Sequence, residues 1–183
     1  MLPDPGAGGS VQGMAEASDL LVDGFGRVRD VVHAVLRGAS ADDLMWAPEA
    51  GANPIGWLVW HLTRVQDDHV ADAFDLPQVW VEHGWAERLA LPRPVADTGY
   101  GDHAAQVAAV RVAPDLLEGY HAAVHDRTVA LLAEVDPPAL DRVVDTSWDP
   151  PVTLGVRLVS VLSDDLQHAG QAAYVRGLLR ARG

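Results

Sequence analysis

The sequence of 183 residues contains no cysteine and no lysine, so all 13 of its basic side chains are arginine. The absence of cysteine excludes disulfide bonds, thiolate nucleophiles and cysteine-ligated zinc or iron–sulfur centres. A metal ion in this chain must therefore be bound by histidine, aspartate or glutamate. The eight histidines and 26 acidic residues supply these ligand types.

Positive charge is also scarce, since the formal net charge is −13 at pH 7. Such an acidic chain repels nucleic-acid phosphates and anionic lipid headgroups, which argues against either as a partner. The sequence has no run of about 20 uninterrupted apolar residues, the length that a membrane span needs. Its first 13 residues show neither the basic segment nor the apolar run of a secretory signal. These absences predict a cytoplasmic protein.

Proline and glycine divide the chain into segments. Residues 1–13 are rich in both and are predicted to form a disordered tail, which leaves residues 14–183 as a single domain. From Met14 onwards apolar residues recur at spacings of three and four up to Gly38, and this pattern predicts a long helix. Ser40 is the predicted N-cap of a short helical turn, with Asp43 at the N3 position.

Three more long helices are predicted. Asn53 would cap the second, with Pro54 as its first helical residue, and this helix would continue to Phe74. The third would run from Pro114 to residue 135, and the fourth from a Thr153 cap to residue 179. Residues 76–102 are expected to form a long ordered connection with a short helix at 80–89, and a further short helix is predicted at 104–110. The whole pattern indicates an all-α four-helix bundle with a long crossover.

The last helix carries polar residues on an otherwise apolar stripe. Asp164 and His168 are one turn apart on the stripe that includes Leu158 and Val161, so both side chains could reach one ion. For this pair alone, a core-facing salt bridge or an N-capping network is the favoured explanation. Asp165 would take the place of Asp164 if the helix were rotated.

His61 strengthens the metal interpretation because it lies in mid-helix near an apolar face. A single histidine in such a position is more often a core residue than a ligand. Together with Asp164 and His168, however, it would form a set of two histidines and one carboxylate. Such a set leaves coordination positions open for water or substrate, as catalytic metal sites do.

Other histidines offer alternatives. His121 and His125 form a rival pair at the same spacing, and the apolar pattern around them places them partly exposed or at the mouth of a cavity. His69 lies two turns after His61 and is expected to share its cavity wall.

These residues resemble the DinB-like superfamily. The resemblance rests on the Trp60-His61-Leu62 helix, the four-helix pattern and the final segment from Asp164 to Gln171. Within the superfamily the chain is similar to mycothiol-dependent maleylpyruvate isomerases and bacillithiol transferase-like proteins.

The resemblance implies an up-down-down-up bundle and a divalent metal (zinc, nickel or iron) on His61, Asp164 and His168. Asp164 departs from the usual histidine or glutamate at its position. Gln171 would line the pocket or support a ligand, and a homodimer is also implied.

Three functions remain open from the sequence. The first is a metal-dependent S-transferase or isomerase that uses a thiol such as mycothiol on a small electrophilic substrate. The aromatic and arginine side chains of the long connection would then form the substrate wall. Alternatively, they would simply pack the connection onto the bundle. These residues are Trp80, Trp85, Arg88, Arg93 and Tyr100. The second is a metal-dependent hydrolase with Asp68 or His69 as base. The third is a non-catalytic protein that binds a metal or small molecule.

Overall fold

The computed structural model describes residues 16–182, so the tail predicted for residues 1–13 lies outside the described residues. Within this range the chain is mainly helical, with a two-stranded antiparallel sheet. The α-helices are α1 (Ala17–Leu36), α2 (Ala41–Met45), α3 (Ile55–Ala73), α4 (Val79–Glu82), α5 (Trp85–Leu89), α6 (Ala104–Ala108), α7 (Pro114–Leu132) and α8 (Leu154–Arg180). A 3₁₀-helix (Pro137–Asp141) and strands β1 (Val143–Asp145) and β2 (Val152–Thr153) lie between α7 and α8.

The four long helices α1, α3, α7 and α8 form the bundle. Helices α1 and α3 each pack against both α7 and α8. One apolar cluster joins the second halves of α1 and α8 to the first halves of α3 and α7. The other cluster joins the first halves of α1 and α8 to the second halves of α3 and α7. Helices α1 and α8 therefore run one way and α3 and α7 the other, which confirms the up-down-down-up course.

Buried polar side chains lie between the two apolar clusters. Gln66 on α3 donates a hydrogen bond to the hydroxyl of Thr128 on α7, at 2.8 Å, and Asp165 on α8 is fully buried at the same level of its helix. Burial of such groups is costly unless they find partners. The middle of the bundle therefore contains polar side chains that need hydrogen-bond partners.

The predicted caps are mostly confirmed. Ser40 and Asp43 form a reciprocal capping box at α2, and the Thr153 hydroxyl accepts from the backbone N–H of Val156 at the start of α8. The prediction for α3 was wrong by one residue, since Pro54 is the N-cap and the helix begins at Ile55. At the N-cap, as at the first helical position, the missing N–H of proline removes no hydrogen bond of the helix.

The long connection is ordered but contains two short helices instead of the single one predicted at 80–89. Gly84 separates α4 from α5 with a φ of 68°, a left-handed conformation that glycine adopts without strain. The described helices include none that combines the length and the apolar character required to cross a membrane.

Candidate metal centre

The structure brings His61, Asp164 and His168 together. One potential ligand atom from each lies within 4.8 Å of the other two, and within residues 16–182 this is the one group of three or more such side chains. The three residues line a cavity of about 310 Å³, called here the metal cavity. Its full lining is Asn53, Trp57, His61, Gly99, Tyr100, Gly101, Asp102, Asp164 and His168. Metal binding by these residues stays a prediction, but their convergence is a property of the fold.

His61 is buried in α3 and held from two sides. Its ring stacks on Trp57, with ring centroids 4.6 Å apart, and its Nδ1 lies 2.6 Å from the backbone oxygen of Thr98. Burial lowers the pKa of His61 and favours the neutral ring. Because a carbonyl oxygen can only accept, Nδ1 carries the proton and Nε2 keeps its lone pair free. This arrangement is typical of a histidine prepared to bind a metal.

The loop that approaches His61 requires glycine at position 99. Gly99 has a φ of 91°, and a Cβ atom there would lie 2.8 Å from the Trp60 ring and 3.0 Å from Nδ1 of His61. Any larger residue would therefore displace the loop or the imidazole.

Asp164 and His168 are joined across one turn of α8. Nδ1 of His168 lies 2.9 Å from the backbone oxygen of Asp164 and 3.2 Å from its Oδ2. The Asp164 carboxylate raises the pKa of His168 against the opposing effect of burial. Burial raises the pKa of Asp164, but the contact with His168 and the nearby imidazoles outweigh it, so the net direction is downward. At neutral pH Asp164 is therefore an anion.

A buried oxygen of Asp164 lacks a hydrogen-bond donor. Among the described residues, no well-aligned donor faces Oδ2, because the N–H of His168 points to the backbone oxygen of Asp164 instead. A buried carboxylate oxygen is costly unless a donor or a cation faces it, and the misaligned His168 ring at 3.2 Å meets this need only in part. Two imidazole nitrogens and one carboxylate oxygen suit zinc, nickel or iron, so the residues present fit a divalent cation.

Asp165, the alternative carboxylate, is excluded from the cavity by the rotation of α8. Its side chain is fully buried in the bundle, and neither carboxylate oxygen has a hydrogen-bond donor within residues 16–182. Burial, and then the charge of Asp164, raises the pKa of Asp165 well above its usual value. Asp165 is therefore a neutral acid in the core, and Asp164 is the available ligand.

Gln171 lies on an exposed part of α8 and is not among the residues that line the metal cavity. A role for it in binding a cofactor or supporting a ligand stays a prediction.

His69 does not share the wall of the metal cavity, contrary to the sequence expectation. It lines a separate cavity with Asp68, Asp145 and Arg157, called here the Arg157 cavity. Its Nδ1 lies 2.8 Å from the Arg157 guanidinium, and Asp68 accepts from Gln78 at 2.6 Å. Both proposed bases of a hydrolase are thus engaged with other side chains and outside the metal cavity.

His121 and His125 are both buried in α7, so the expected partial exposure was wrong. The alternative, a position at a cavity, holds for His121, which lines a small cavity with His33 and Glu118. Their ring centroids are 6.4 Å apart, and among residues 16–182 no group donates to Nδ1 of His125 or pairs with Nε2 of His121. Burial lowers the pKa of His121 to about 3, with smaller contributions from His125 and Arg29. The two imidazoles are neutral core residues in this structure.

Of the residues considered for a substrate wall in the long connection, Tyr100 lines the metal cavity. Trp80 and Trp85 are buried against Tyr120, and Arg88 stacks on the Trp85 ring. Arg93 forms ion pairs at 3.3 Å with Asp97 and at 3.0 Å with Asp102. Trp80, Trp85 and Arg93 therefore pack the crossover onto the bundle, Arg93 by stacking 4.2 Å from the centroid of the Trp60 ring, whereas Arg88 is exposed.

A buried network that the sequence patterns did not predict holds the crossover in place. Arg64 donates to Gln78, to the Tyr120 hydroxyl and to the backbone oxygen of Asp97. Asp67 accepts from the backbone N–H groups of residues 79 and 80 and from Tyr120. The sequence did contain a sign of this network, because Arg64 and Asp67 form a charged pair within an apolar helix. Because residue 97 precedes Thr98, this network also positions the loop that orients His61.

The fold and site define a DinB-like protein, a four-helix bundle with a candidate three-ligand metal centre in its core. A crystal structure of a conserved protein from Enterococcus faecalis has the same fold, with a TM-score of 0.82 and 29% identity over 92% of this chain and 99% of that one. Among curated proteins none matches this chain. The family model of the mycothiol-S-transferases matches residues 20–181, and the chain belongs to that family.

Proposed function

We propose that this protein is a divalent-metal-dependent S-transferase that joins a low-molecular-weight thiol of the mycothiol type to a small electrophile. The observation that carries the proposal is the convergence of His61, Asp164 and His168 around a buried carboxylate oxygen that lacks a donor. Membership of the mycothiol-S-transferase family supports the choice of reaction. Because the chain has no cysteine, the transferred sulfur must come from a separate thiol.

A divalent cation bound by the three side chains would lower the pKa of a thiol or a water molecule in the cavity. The chain's own residues prepare the site for this role. Thr98 fixes the His61 ring so that Nε2 is free, and the backbone oxygen of Asp164 orients the His168 ring through Nδ1. Both imidazoles are thus oriented before any ligand arrives, which reduces the cost of ordering them.

The reaction itself is a nucleophilic substitution or addition at carbon. In the substitution, the thiol sulfur forms a bond to the electrophilic carbon, and the leaving group departs with the bonding electron pair. The thiol proton passes to solvent water. No oxidant or reductant is consumed.

The first test is the metal content of tag-free protein after loading with zinc and removal of excess ion. Wild-type protein is expected to retain about one ion per chain, and His168→Ala is expected to lose it. His69→Ala is the matched control, because His69 is a partly exposed histidine that lines a different cavity. Equal zinc content in all three proteins would reject the site, provided that thermal unfolding shows each variant to be folded.

The second test is turnover of monobromobimane with and without mycothiol. We expect conjugation to require both the thiol and the metal-loaded protein, and to fall to the uncatalysed rate in His168→Ala. Turnover of ester or amide substrates without added thiol would instead identify a hydrolase and overturn the proposal.

A further inference from the structure

A second and larger cavity, of about 460 Å³, adjoins the metal cavity and is called here the Met45 cavity. It lies between α6 and the segment that joins α2 to α3, and it shares Asn53 and Asp102 with the metal cavity. Its volume falls in the range of small-molecule binding sites. A molecule that occupied it would therefore reach the edge of the candidate metal centre.

Asp102 forms a rigid wall between the two cavities. Its side chain is 2% exposed, and its Oδ2 accepts from the Trp57 indole at 2.8 Å and from Arg93 at 3.0 Å. Within residues 16–182 its other oxygen, Oδ1, accepts no hydrogen bond from another side chain or from the backbone. The junction of the two cavities thus holds a buried carboxylate that is fixed in place through its Oδ2.

The Met45 cavity has four polar lining residues, which are Glu49, Asn53, Asp102 and Arg111. The rest of its lining is apolar and includes Met45, Pro54, Ala104, Val107 and Ala108. A polyhydroxylated molecule would leave hydroxyl groups without partners against these side chains, which is unfavourable. An apolar ring system would instead gain from burial there.

Another cavity of the structure has the opposite chemistry. The Arg157 cavity is lined by charged and amide side chains, among them Asp68, Gln78 and Asp145, and it shares no lining residue with the metal cavity. Of the two, the Met45 cavity is both the apolar one and the one that joins the metal cavity directly.

We propose that the Met45 cavity binds the apolar body of the electrophilic co-substrate and directs its reactive carbon past Asn53 towards His61. The electrophilic character of this ligand rests on the proposed function, whereas binding of an apolar small molecule in this cavity does not. The thiol would then approach from the open side of the metal cavity, where Tyr100 is 93% exposed.

The binding test uses methylthio-bimane, a fluorescent, unreactive thioether, in a fluorescence titration of the full chain. Ala108→Phe places a large ring in the Met45 cavity, and Ala105→Phe is the matched control because residue 105 is exposed on the same helix and does not line the cavity. We expect wild-type protein, Ala105→Phe and His168→Ala to bind the probe with dissociation constants within twofold, and Ala108→Phe to bind at least about tenfold more weakly.

Two results would overturn the inference. One is equal binding by Ala108→Phe and wild-type protein. The other is loss of binding in His168→Ala with Ala108→Phe unaffected, which would place the probe in the metal cavity. The titration contains no thiol and no reaction, so a failure of S-transfer leaves its outcome unchanged and the two failures are distinguishable.

A kinetic measurement then assigns the cavity to one of the two co-substrates. With metal-loaded protein, mycothiol and monobromobimane, Ala108→Phe is expected to raise the KM for the bimane at least about tenfold and to leave the KM for the thiol within twofold. A rise in the thiol KM alone would assign the cavity to the thiol and reject its role in binding the electrophile.

Discussion

His61 donates a hydrogen bond from Nδ1 to the backbone oxygen of Thr98, at 2.6 Å. This bond joins a residue of the bundle core to the loop that ends the long connection. The same loop is anchored one residue earlier, where Arg64 donates to the backbone oxygen of Asp97 at 3.3 Å. The orientation of the imidazole therefore depends on how the crossover is packed, and variants of the loop should affect metal binding without changing a ligand.

Gly99→Ala is expected to weaken metal binding by displacing His61. The new Cβ would lie 3.0 Å from Nδ1 of His61 and 2.8 Å from Trp60, and the φ of 91° adds backbone strain of about 1–3 kcal/mol. Gly101→Ala is the control, because Gly101 also has a positive φ, of 78°, but a Cβ there would meet nothing within 4 Å. Chelator competition should show weaker zinc binding for Gly99→Ala than for Gly101→Ala. Equal affinities would show that the close approach to His61 has no effect on the site.

Asp164→Asn should remove zinc binding because it keeps the shape of the side chain and removes its charge. We expect an affinity loss of at least about 100-fold, since even residues that only support a ligand contribute about 10–100-fold. Asp164→Glu restores the charge with one more methylene and should bind zinc more tightly than Asp164→Asn. If the asparagine variant bound zinc as well as wild-type protein, measured by competition with a fluorescent chelator, Asp164 would not be a ligand.

Tyr120→Phe should destabilise the fold by about 1–3 kcal/mol, because it removes a hydroxyl that serves two buried partners. This hydroxyl donates to Asp67 at 2.8 Å and accepts from Arg64 at 3.2 Å. Tyr174→Phe is the control, since Tyr174 is 68% exposed. Urea unfolding followed by circular dichroism measures both changes in the free energy of unfolding. A loss below about 0.5 kcal/mol for Tyr120→Phe would show that the network does not depend on this hydroxyl.

His121 should make the protein less stable as the pH falls below about 6.5. Its pKa is about 3 in the folded protein and near 6.5 in the unfolded chain, so between these values the unfolded state binds the extra proton. The stability contributed by the neutral ring is therefore complete above pH 6.5 and declines towards pH 3. Between pH 6.5 and 5 this decline amounts to about 1.6 kcal/mol.

The variant His121→Gln removes that titration and should flatten the pH dependence of the free energy of unfolding over this range. The comparison uses slopes, so a constant change in stability caused by the substitution does not affect it. Parallel curves for wild-type protein and His121→Gln would mean that His121 is protonated in the folded state.

Local patterns were sufficient to predict most of the helices. Each predicted long helix is present, because helical periodicity and caps such as Ser40 and Thr153 depend on residues within a few positions of each other. Boundaries shifted by a residue or a turn where tertiary packing decided between equivalent positions, as at Pro54. The sequence pattern did not show that the crossover contains two helices with Gly84 between them, because their packing against Tyr120 is a long-range contact.

The sequence by itself determined the type of ligand, since it has no cysteine, and the one-turn spacing of Asp164 and His168, since that spacing is a local property of a helix. Only the tertiary structure decided that Asp164 faces the cavity and Asp165 the core, because the rotation of α8 follows from the packing of the whole bundle. It likewise placed His69 in a different cavity from His61. Neighbouring residues on a helix point in different directions, and the choice between them depends on side chains that are distant in sequence.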